Sequence, residues 1–145
     1  HDESHFSGIR VVPDELPGHG PLMGIVSGLR SSMTDANFVI SCDIPEIHPF
    51  AIARLFAAVQ DADIAVPSFQ DGFVEPLFGM YRRDTLQYAR RLMINGTRRV
   101  ADLFPLVRTT ILTIGNNNNW YRNLNSPGDV RRYLEQCTAV KGTAA

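Results

Sequence analysis

The sequence predicts an α/β domain with a mostly parallel sheet, because short β-rich runs alternate with longer helical patterns along the chain. A chain of 145 residues has room for one domain with a substantial core. We see no repeat and no linker that would divide the chain. We therefore treat residues 1–145 as a single domain.

The first half of the chain is predicted to hold three strands and two helices. Apolar residues recur at three- and four-residue steps after Pro21, which predicts a helix over Pro21–Met33. Its glycines, Gly24 and Gly28, each cost roughly 1 kcal/mol relative to alanine, so we expect a close neighbour on that face. The continuous apolar run Phe38–Cys42 predicts a strand buried on both faces. The other predicted elements are a strand at Ile9–Val12, a helix at Pro49–Gln60 with Ile52, Leu55, Phe56 and Val59 inward, and a strand at Asp63–Val66.

The second half continues the alternation and ends in a helix. Ser126 is the expected N-cap of that helix and Pro127 its first residue, with Val130, Tyr133 and Leu134 facing inward. Strands separated by helices indicate βαβ units, so we expect a Rossmann-like three-layer sandwich. The other segments are turn and strand at Phe73–Tyr81, helices at Leu86–Met93 and Arg98–Leu106, an extended run at Thr109–Ile114 and a polar loop at Asn116–Asn119.

Composition and charge exclude several classes of function. The formal net charge of −1 gives no basic footprint for nucleic acid or an anionic membrane. We find no apolar run of membrane-spanning length and no signal-peptide pattern, and no histidine or cysteine spacing fits a zinc site. Cys42 is expected to be a buried thiol, and a reducing cytoplasmic setting is the default.

Asp43 is the first candidate for chemistry. It follows the predicted strand Phe38–Cys42, and ligands of open α/β sheets bind beyond the carboxyl ends of the strands. An acid there can hold Mg²⁺, which takes hard oxygen ligands and bridges to substrate phosphates. The alternative is that Asp43 caps a turn before Pro45.

Two further features are weak when taken alone. The Gly20-Pro21 helix start offers N–H groups and a positive dipole end, but many structural helices begin in this way. Asn123 and Asn125 lie two apart on an extended segment, so they either present amides to a ligand or shape the entry to the last helix.

Taken together, six motifs make a specific series over Val11 to Leu134, nearly all of the chain. The series resembles the molybdenum cofactor guanylyltransferase family, also called molybdopterin-guanine dinucleotide biosynthesis protein A, which has a nucleotide-diphospho-sugar transferase-like fold. In chain order, the motifs are Val12-Pro13-Asp14, Gly20-Pro21-Leu22-x-Gly24-Ile25, Cys42-Asp43-Ile44-Pro45, Glu75-Pro76-Leu77-Phe78, Gly96-Thr97-Arg98-Arg99-Val100 and Asn123-Leu124-Asn125-Ser126-Pro127.

The resemblance implies transfer of GMP from GTP to molybdopterin, with pyrophosphate released. It implies that Asp43 is the catalytic Mg²⁺ ligand, with Mn²⁺ as the alternative ion. On the nucleotide side it places Asp14 and Gly24 together with Asp43. On the side of the pterin and its phosphate it places Arg98, Arg99, Asn123 and Asn125. Arginine suits a phosphate because its planar fork binds two oxygens at once.

One family signature is not found in this chain. The family begins with a strand and a Gly-rich loop, followed by a lysine, which together hold the triphosphate. Residues His1 to Gly8 do not match that loop, and the one lysine is Lys141. We therefore expect the N-terminal βαβ portion to be missing, leaving the fragment inactive alone. Its central strand would then be supplied by a preceding segment, by self-association or by a partner chain.

Three hypotheses remain at this stage. The first is the GTP-dependent transferase. The second is a related nucleotidyltransferase that uses CTP or a sugar phosphate, since the loop that would separate the two is not found. The third is a truncated, non-catalytic module that binds the cofactor or a partner protein.

Overall fold

A computed structural model describes residues 9–69, 72–114 and 123–142 of the chain. These ranges contain four strands and four α-helices. They are, in order, α1 (Pro21–Ser31), β1 (Ala36–Ile40), α2 (Pro49–Ala58), β2 (Ile64–Ser68), β3 (Phe78–Arg82), α3 (Leu86–Ile94), β4 (Thr109–Thr113) and α4 (Pro127–Gly142), with short 3-10 helices at Arg83–Thr85 and Val100–Leu106. None of the helices in the described ranges has both the length and the apolar character needed to cross a bilayer.

The four strands form one mixed sheet in the order β1-β3-β2-β4. The pair β2–β4 is parallel, whereas β3 runs antiparallel to both β1 and β2. The predicted α/β class is confirmed, but this part of the sheet is not mostly parallel. The reason lies in the link between β2 and β3, which is too short for the helical crossover that a parallel neighbour needs.

Helices cover both faces of the sheet, which gives the three-layer arrangement that the sequence predicts. On one face, Ile64 and Val66 of β2 and Tyr81 of β3 pack with α1, α3 and the 3-10 helix at Val100–Leu106. On the other face, Phe78 and Met80 of β3 pack with α2. Adjacent residues of β2 and β3 thus enter opposite cores, because successive side chains of a strand alternate between faces.

The strand predicted at Ile9–Val12 is not formed. This segment runs beside α1, where the Arg10 guanidinium donates to the Ser31 carbonyl. Ile9 and Val11 are exposed, and no strand lies next to them among the described residues. A segment rich in β-forming residues becomes a strand only where a neighbouring strand can pair with its backbone N–H and C=O groups. The residue pattern alone therefore gave a wrong prediction here.

β1 differs from the strand predicted at Phe38–Cys42 in place and in burial. It ends at Ile40, all five of its residues are half-buried, and its outer edge has no partner strand among the described residues. Cys42 is exposed as a result. Pairing at this edge, by self-association or by a partner chain, stays a prediction.

Helix positions were predicted better than helix faces. The four long helices begin at or beside the predicted residues, but Phe56, Val130 and Leu134 are 53%, 41% and 57% exposed instead of inward. A period of 3.6 residues identifies an apolar stripe, but it does not fix which part of the stripe a neighbour covers. The predicted loop Asn116–Asn119 lies outside the described residues.

Candidate functional site

An open trough separates α1 from β1. Its volume is about 520 Å³, and its lining includes Pro21 and Gly24 of α1, Phe38 and Ile40 of β1, and Leu77. The start of α1 and the carboxyl end of β1 therefore open into the same space. The close neighbour that we expected on the Gly24 and Gly28 face is found at Gly24, where Asp14 Oδ1 is 3.9 Å from the position of an added Cβ. At Gly28, nothing among the described residues lies within 4 Å of an added Cβ.

The start of α1 is built as a free helix terminus. Gly20 has φ 76° and ψ −175°, a conformation that is open essentially to glycine alone. Pro21 occupies the first turn, and no side chain from the described part of the chain caps the helix. The uncapped first turn and the positive end of the helix dipole favour an anion at this position.

Asp14 lies beside this helix, next to Gly24. Its Oδ1 atom is 3.9 Å from the position that a Cβ on Gly24 would occupy. The loop carrying Asp14 is held to α1 by the Glu15 N–H, which donates to Ser27 Oγ (3.2 Å), and by the Glu15–Arg30 ion pair (2.7 Å). The structure thus brings together Asp14 and Gly24, two of the three residues that the resemblance puts on the nucleotide side.

Asp43 follows β1 in a turn in which the Ile44 N–H donates to the Ser41 carbonyl (3.3 Å). Its Oδ1 atom is buried and has no hydrogen-bond partner among the described residues. A buried carboxylate oxygen without a donor costs free energy, so it marks a position where a further group is expected. The turn-cap alternative does not account for this oxygen.

Asn123 lies next to Asp43, because the Leu124 N–H donates to the Asp43 carbonyl (2.8 Å). The Oδ1 atom of Asn123 is also buried without a hydrogen-bond partner among the described residues. The same side chain lines a pocket of about 340 Å³ with Asp129, Arg132 and Gln136 at the start of α4.

The beginning of α4 is fixed by reciprocal hydrogen bonds. The Asp129 N–H donates to Ser126 Oγ (3.2 Å), and the Ser126 N–H donates to the Asp129 carboxylate (2.9 Å). This capping box confirms Ser126 as the N-cap. The Ser126 hydroxyl and Arg132 hold the pKa of Asp129 below its usual range. The cap fixes the direction of the segment that carries Asn123 and Asn125 into the start of α4.

The two arginines of the pterin-side prediction lie elsewhere. A Cβ on Gly20 would be 3.7 Å from the Arg98 Cβ, so Arg98 packs against the turn before α1. Arg98 and Arg99 are exposed. No hydrogen bond or ion pair in the described ranges joins either of them to Asn123 or Asn125. The structure thus places Arg98 beside the start of α1 and Asn123 beside Asp43, and it does not bring the four predicted residues together.

Glu75 is a residue whose role the sequence interpretation missed. It is 6% exposed, and its Oε1 accepts the Leu77 N–H (2.8 Å), while the Leu77 carbonyl accepts the Ser41 N–H (2.8 Å). Glu75 therefore holds the backbone that fixes the chain two residues before Asp43. The sequence signal was the motif Glu75-Pro76-Leu77-Phe78, to which the resemblance assigned no role for the acid.

The residues at the end of β1 fit a divalent cation. Two acceptor oxygens without donors, one from Asp43 and one from Asn123, are the hard ligands that Mg²⁺ takes. No group of three or more His, Cys, Asp or Glu side chains gathers for a metal within the described ranges. Few protein ligands are expected at a Mg²⁺ site that completes its shell with water and substrate phosphates.

An α/β sheet with oxygen ligands beyond a strand end, beside a free helix start, has the architecture of a nucleotide-binding domain. Comparison of the sequence with known families identifies which one. The chain belongs to the MobA-like NTP transferase domain family, whose model matches residues 1–109.

Curated relatives agree with this family. The chain is 29% identical to a probable molybdenum cofactor guanylyltransferase from Carboxydothermus hydrogenoformans, over 92% of this chain and 71% of that protein. It is 32% identical to a molybdenum cofactor guanylyltransferase from Vibrio atlanticus, over 85% of this chain and 64% of that protein.

The same fold is found in a solved structure of a molybdopterin-guanine dinucleotide biosynthesis protein A from Archaeoglobus fulgidus. The TM-score is 0.69 at 20% identity, with 83% of this chain and 64% of that chain covered. The chain therefore spans about two thirds of the length of these proteins.

Proposed function

We propose that the protein transfers GMP from GTP to molybdopterin, with its molybdenum, and releases pyrophosphate. The family and the names of the relatives support a nucleotidyltransferase of molybdenum cofactor biosynthesis. The observation that supports the proposal is the buried Oδ1 of Asp43, which has no hydrogen-bond partner in the described part of the chain and provides a cation position at the end of β1. The two free thiols are compatible with a cytoplasmic setting, which is part of the same proposal.

In this proposal, the nucleotide binds along the trough between α1 and β1. The uncapped start of α1 receives phosphate oxygens, and Asp14 and Gly24 border the same helix. The exposed α-carbon of Gly24 leaves room for the ligand, since a Cβ there would point toward Asp14.

Asp43 holds Mg²⁺, or Mn²⁺ in its place, at the carboxyl end of β1. Such an ion polarises the α-phosphate and screens the charge of the incoming phosphate. The chain itself contributes a fixed carboxylate, because hydrogen bonds from Ser41 to Leu77 and from Leu124 to Asp43 hold the turn. Preorganised charge of this kind needs no rearrangement during the reaction.

Arg98 and Arg99, together with Asn123 and Asn125, are proposed to receive the pterin and its phosphate. The two arginines are exposed and free to form bidentate contacts with phosphate oxygens. A general base is not required, because a phosphate monoester is already largely ionised near neutral pH. Catalysis then consists of positioning and charge neutralisation.

Replacement of the proposed cation ligand tests the function. With GTP, Mg²⁺ and molybdopterin, Asp43→Ala in the full chain should lower GMP transfer by roughly 100- to 1,000-fold, because a preorganised charge is removed. The exposed Asp61 on the turn after α2 provides the matched control, and Asp61→Ala should keep full turnover.

Other results of this assay would contradict the proposal in different ways. Unchanged transfer in Asp43→Ala would remove Asp43 from the mechanism. Transfer of CMP in place of GMP would indicate the related cytidylyl reaction. Binding of molybdopterin with no transfer from any nucleotide, even after the N-terminal segment with the Gly-rich loop of the family is restored, would identify a binding module.

A further inference from the structure

We infer that Asn123 is a second protein ligand of the cation held by Asp43, and not only a contact for the pterin. This inference rests on the cation site of the proposed function and deepens it. It starts from two atoms that share one property. Asp43 Oδ1 and Asn123 Oδ1 are the buried side-chain polar atoms without a hydrogen-bond partner in the described part of the chain.

The two oxygens lie on segments that are fastened to each other. The Leu124 N–H donates to the Asp43 carbonyl (2.8 Å), so the residue directly before Leu124 is held beside the turn after β1. The capping box of Ser126 and Asp129 fixes the other end of the same short segment. Asn123 is therefore held beside the turn after β1 by its neighbour Leu124, whereas Asn125 is exposed.

Both of these oxygens are acceptors, and within residues 9–69, 72–114 and 123–142 neither of them accepts a hydrogen bond from a cationic side chain. The arginine that shares the Asn123 pocket, Arg132, is engaged with Asp129 in an ion pair, and its side chain is 70% exposed. Two buried acceptors that face no donor each lose the hydrogen bonds they had in water. A divalent cation satisfies two such oxygens at once. A water molecule, which donates two hydrogen bonds, is the competing occupant, and metal titration distinguishes the two.

The mixed ligand set also fits the proposed reaction. One carboxylate and one neutral amide oxygen give the ion less charge than two carboxylates would, so its affinity stays low. An ion held in this way can arrive and leave with the phosphates of nucleotide and pyrophosphate. Asn123 then binds the ion in addition to bordering the pterin side, and Asn125 contacts the pterin side alone.

Titration of the full chain with Mn²⁺ alone, followed by the electron paramagnetic resonance signal of free Mn²⁺, tests this inference without any turnover. Asn123→Ala should weaken Mn²⁺ binding about 10-fold, since one oxygen ligand is lost. Asn123→Asp should bind Mn²⁺ at least as tightly as the unchanged chain, because the carboxylate restores the oxygen and adds charge. Asn95→Ala is the control of the same residue type, since Asn95 is exposed after α3.

The same titration defines the results that overturn the inference. Unchanged Mn²⁺ affinity in Asn123→Ala would show that its oxygen is not a ligand. Equal losses in Asn123→Ala and Asn123→Asp would show that the amide acts as an N–H donor to Asp43. The aspartate variant keeps the test usable if the alanine variant fails to fold, and absence of Mn²⁺ binding in the unchanged chain would refute the cation site itself.

Failure of this inference and failure of the proposed function give different results. GMP transfer that persists together with unchanged Mn²⁺ affinity in Asn123→Ala would leave the function standing without Asn123 as a ligand. Mn²⁺ binding that depends on Asn123, in a chain that transfers no nucleotide to molybdopterin, would keep the cation site and reject the reaction.

Discussion

β3 and β1 are neighbours in one sheet, but the buried polar groups near them differ in whether they have hydrogen-bond partners. Around β3, the Tyr81 hydroxyl donates to the Pro76 carbonyl (2.6 Å), and Arg82 donates to the Val59 and Ala62 carbonyls (3.1 Å each). Burial raises the pKa of Tyr81, so this donor stays protonated. After β1, Asp43 has a buried oxygen with no partner among the described residues. The polar groups around β3 have hydrogen-bond partners, and this strand stabilises the fold. The polar group without a partner lies after β1, where the candidate site is.

The largest effect on stability is expected at the centre of β3, where there is no room for a side chain. A Cβ on Gly79 would lie 2.7 Å from Val66 Cγ1 and 2.9 Å from the Ala65 carbonyl oxygen. Gly79→Ala should lower the free energy of unfolding by about 3 kcal/mol, because the backbone of β2 must shift. Urea denaturation measures this loss.

Gly28 provides the contrast, since nothing among the described residues lies within 4 Å of its added Cβ. Gly28→Ala should raise the unfolding free energy by up to about 1 kcal/mol through helix propensity. A loss in Gly28→Ala as large as that of Gly79→Ala would contradict the view that α1 borders an open trough.

A smaller loss is expected at the start of α1. Gly20→Ala should cost about 2 kcal/mol of unfolding free energy, because its positive φ with extended ψ is strained for any residue with a side chain. The nearest atom to the added Cβ is at 3.7 Å, so the cost is conformational and not a clash. Gly128→Ala in α4, with its nearest contact at 3.6 Å, should change stability little. Equal losses in the two variants would argue against the special conformation of Gly20.

The smallest effect concerns pH, at the surface pair that joins the loops before β2 and β4. Arg108 donates to Asp63 (3.1 Å) and holds the pKa of that carboxyl below its usual range. Because the folded pKa is lowered, the contribution is fully present above the unfolded pKa of about 3.9 and is lost as the pH falls through the folded value. It should amount to no more than about 1 kcal/mol, since Arg108 is 72% exposed.

Thermal melting checks this contribution. Between pH 5 and pH 2.5, Asp63→Asn should lose less stability than the unchanged chain, while Asp61→Asn should follow the unchanged chain. If Asp63→Asn shows the full acid-induced loss, the pair does not contribute.

Local signals in the sequence were sufficient to place most elements. Pro21, Pro49 and Pro127 each begin a helix, and Ser126 caps the last one, because proline and capping residues act within a single turn. The run at Thr109–Ile114 became β4 for the same kind of local reason.

Features that depend on distant neighbours could not be predicted in this way. The direction of β3, the half-burial of β1 and the exposure of Phe56 and Leu134 all depend on which other element lies beside them. The predicted site shows the same division. Asp43 was found from its place after a strand, whereas the contact of its turn with the Asn123 segment joins residues far apart in the chain.

The hydrogen bond between the Leu124 N–H and the Asp43 carbonyl makes assembly of the site a late, non-local event. The strands β2, β3 and β4 lie between its two partners in the sequence. Forming this hydrogen bond therefore has a loop-closure entropy cost that contacts within a single helix or turn do not have. We therefore expect the Leu124 amide to exchange its hydrogen with solvent through a small local opening, long before the amides of β2 and β3 exchange. Any ligand that joins the two segments would slow that exchange selectively, which makes this one amide a reporter of occupancy.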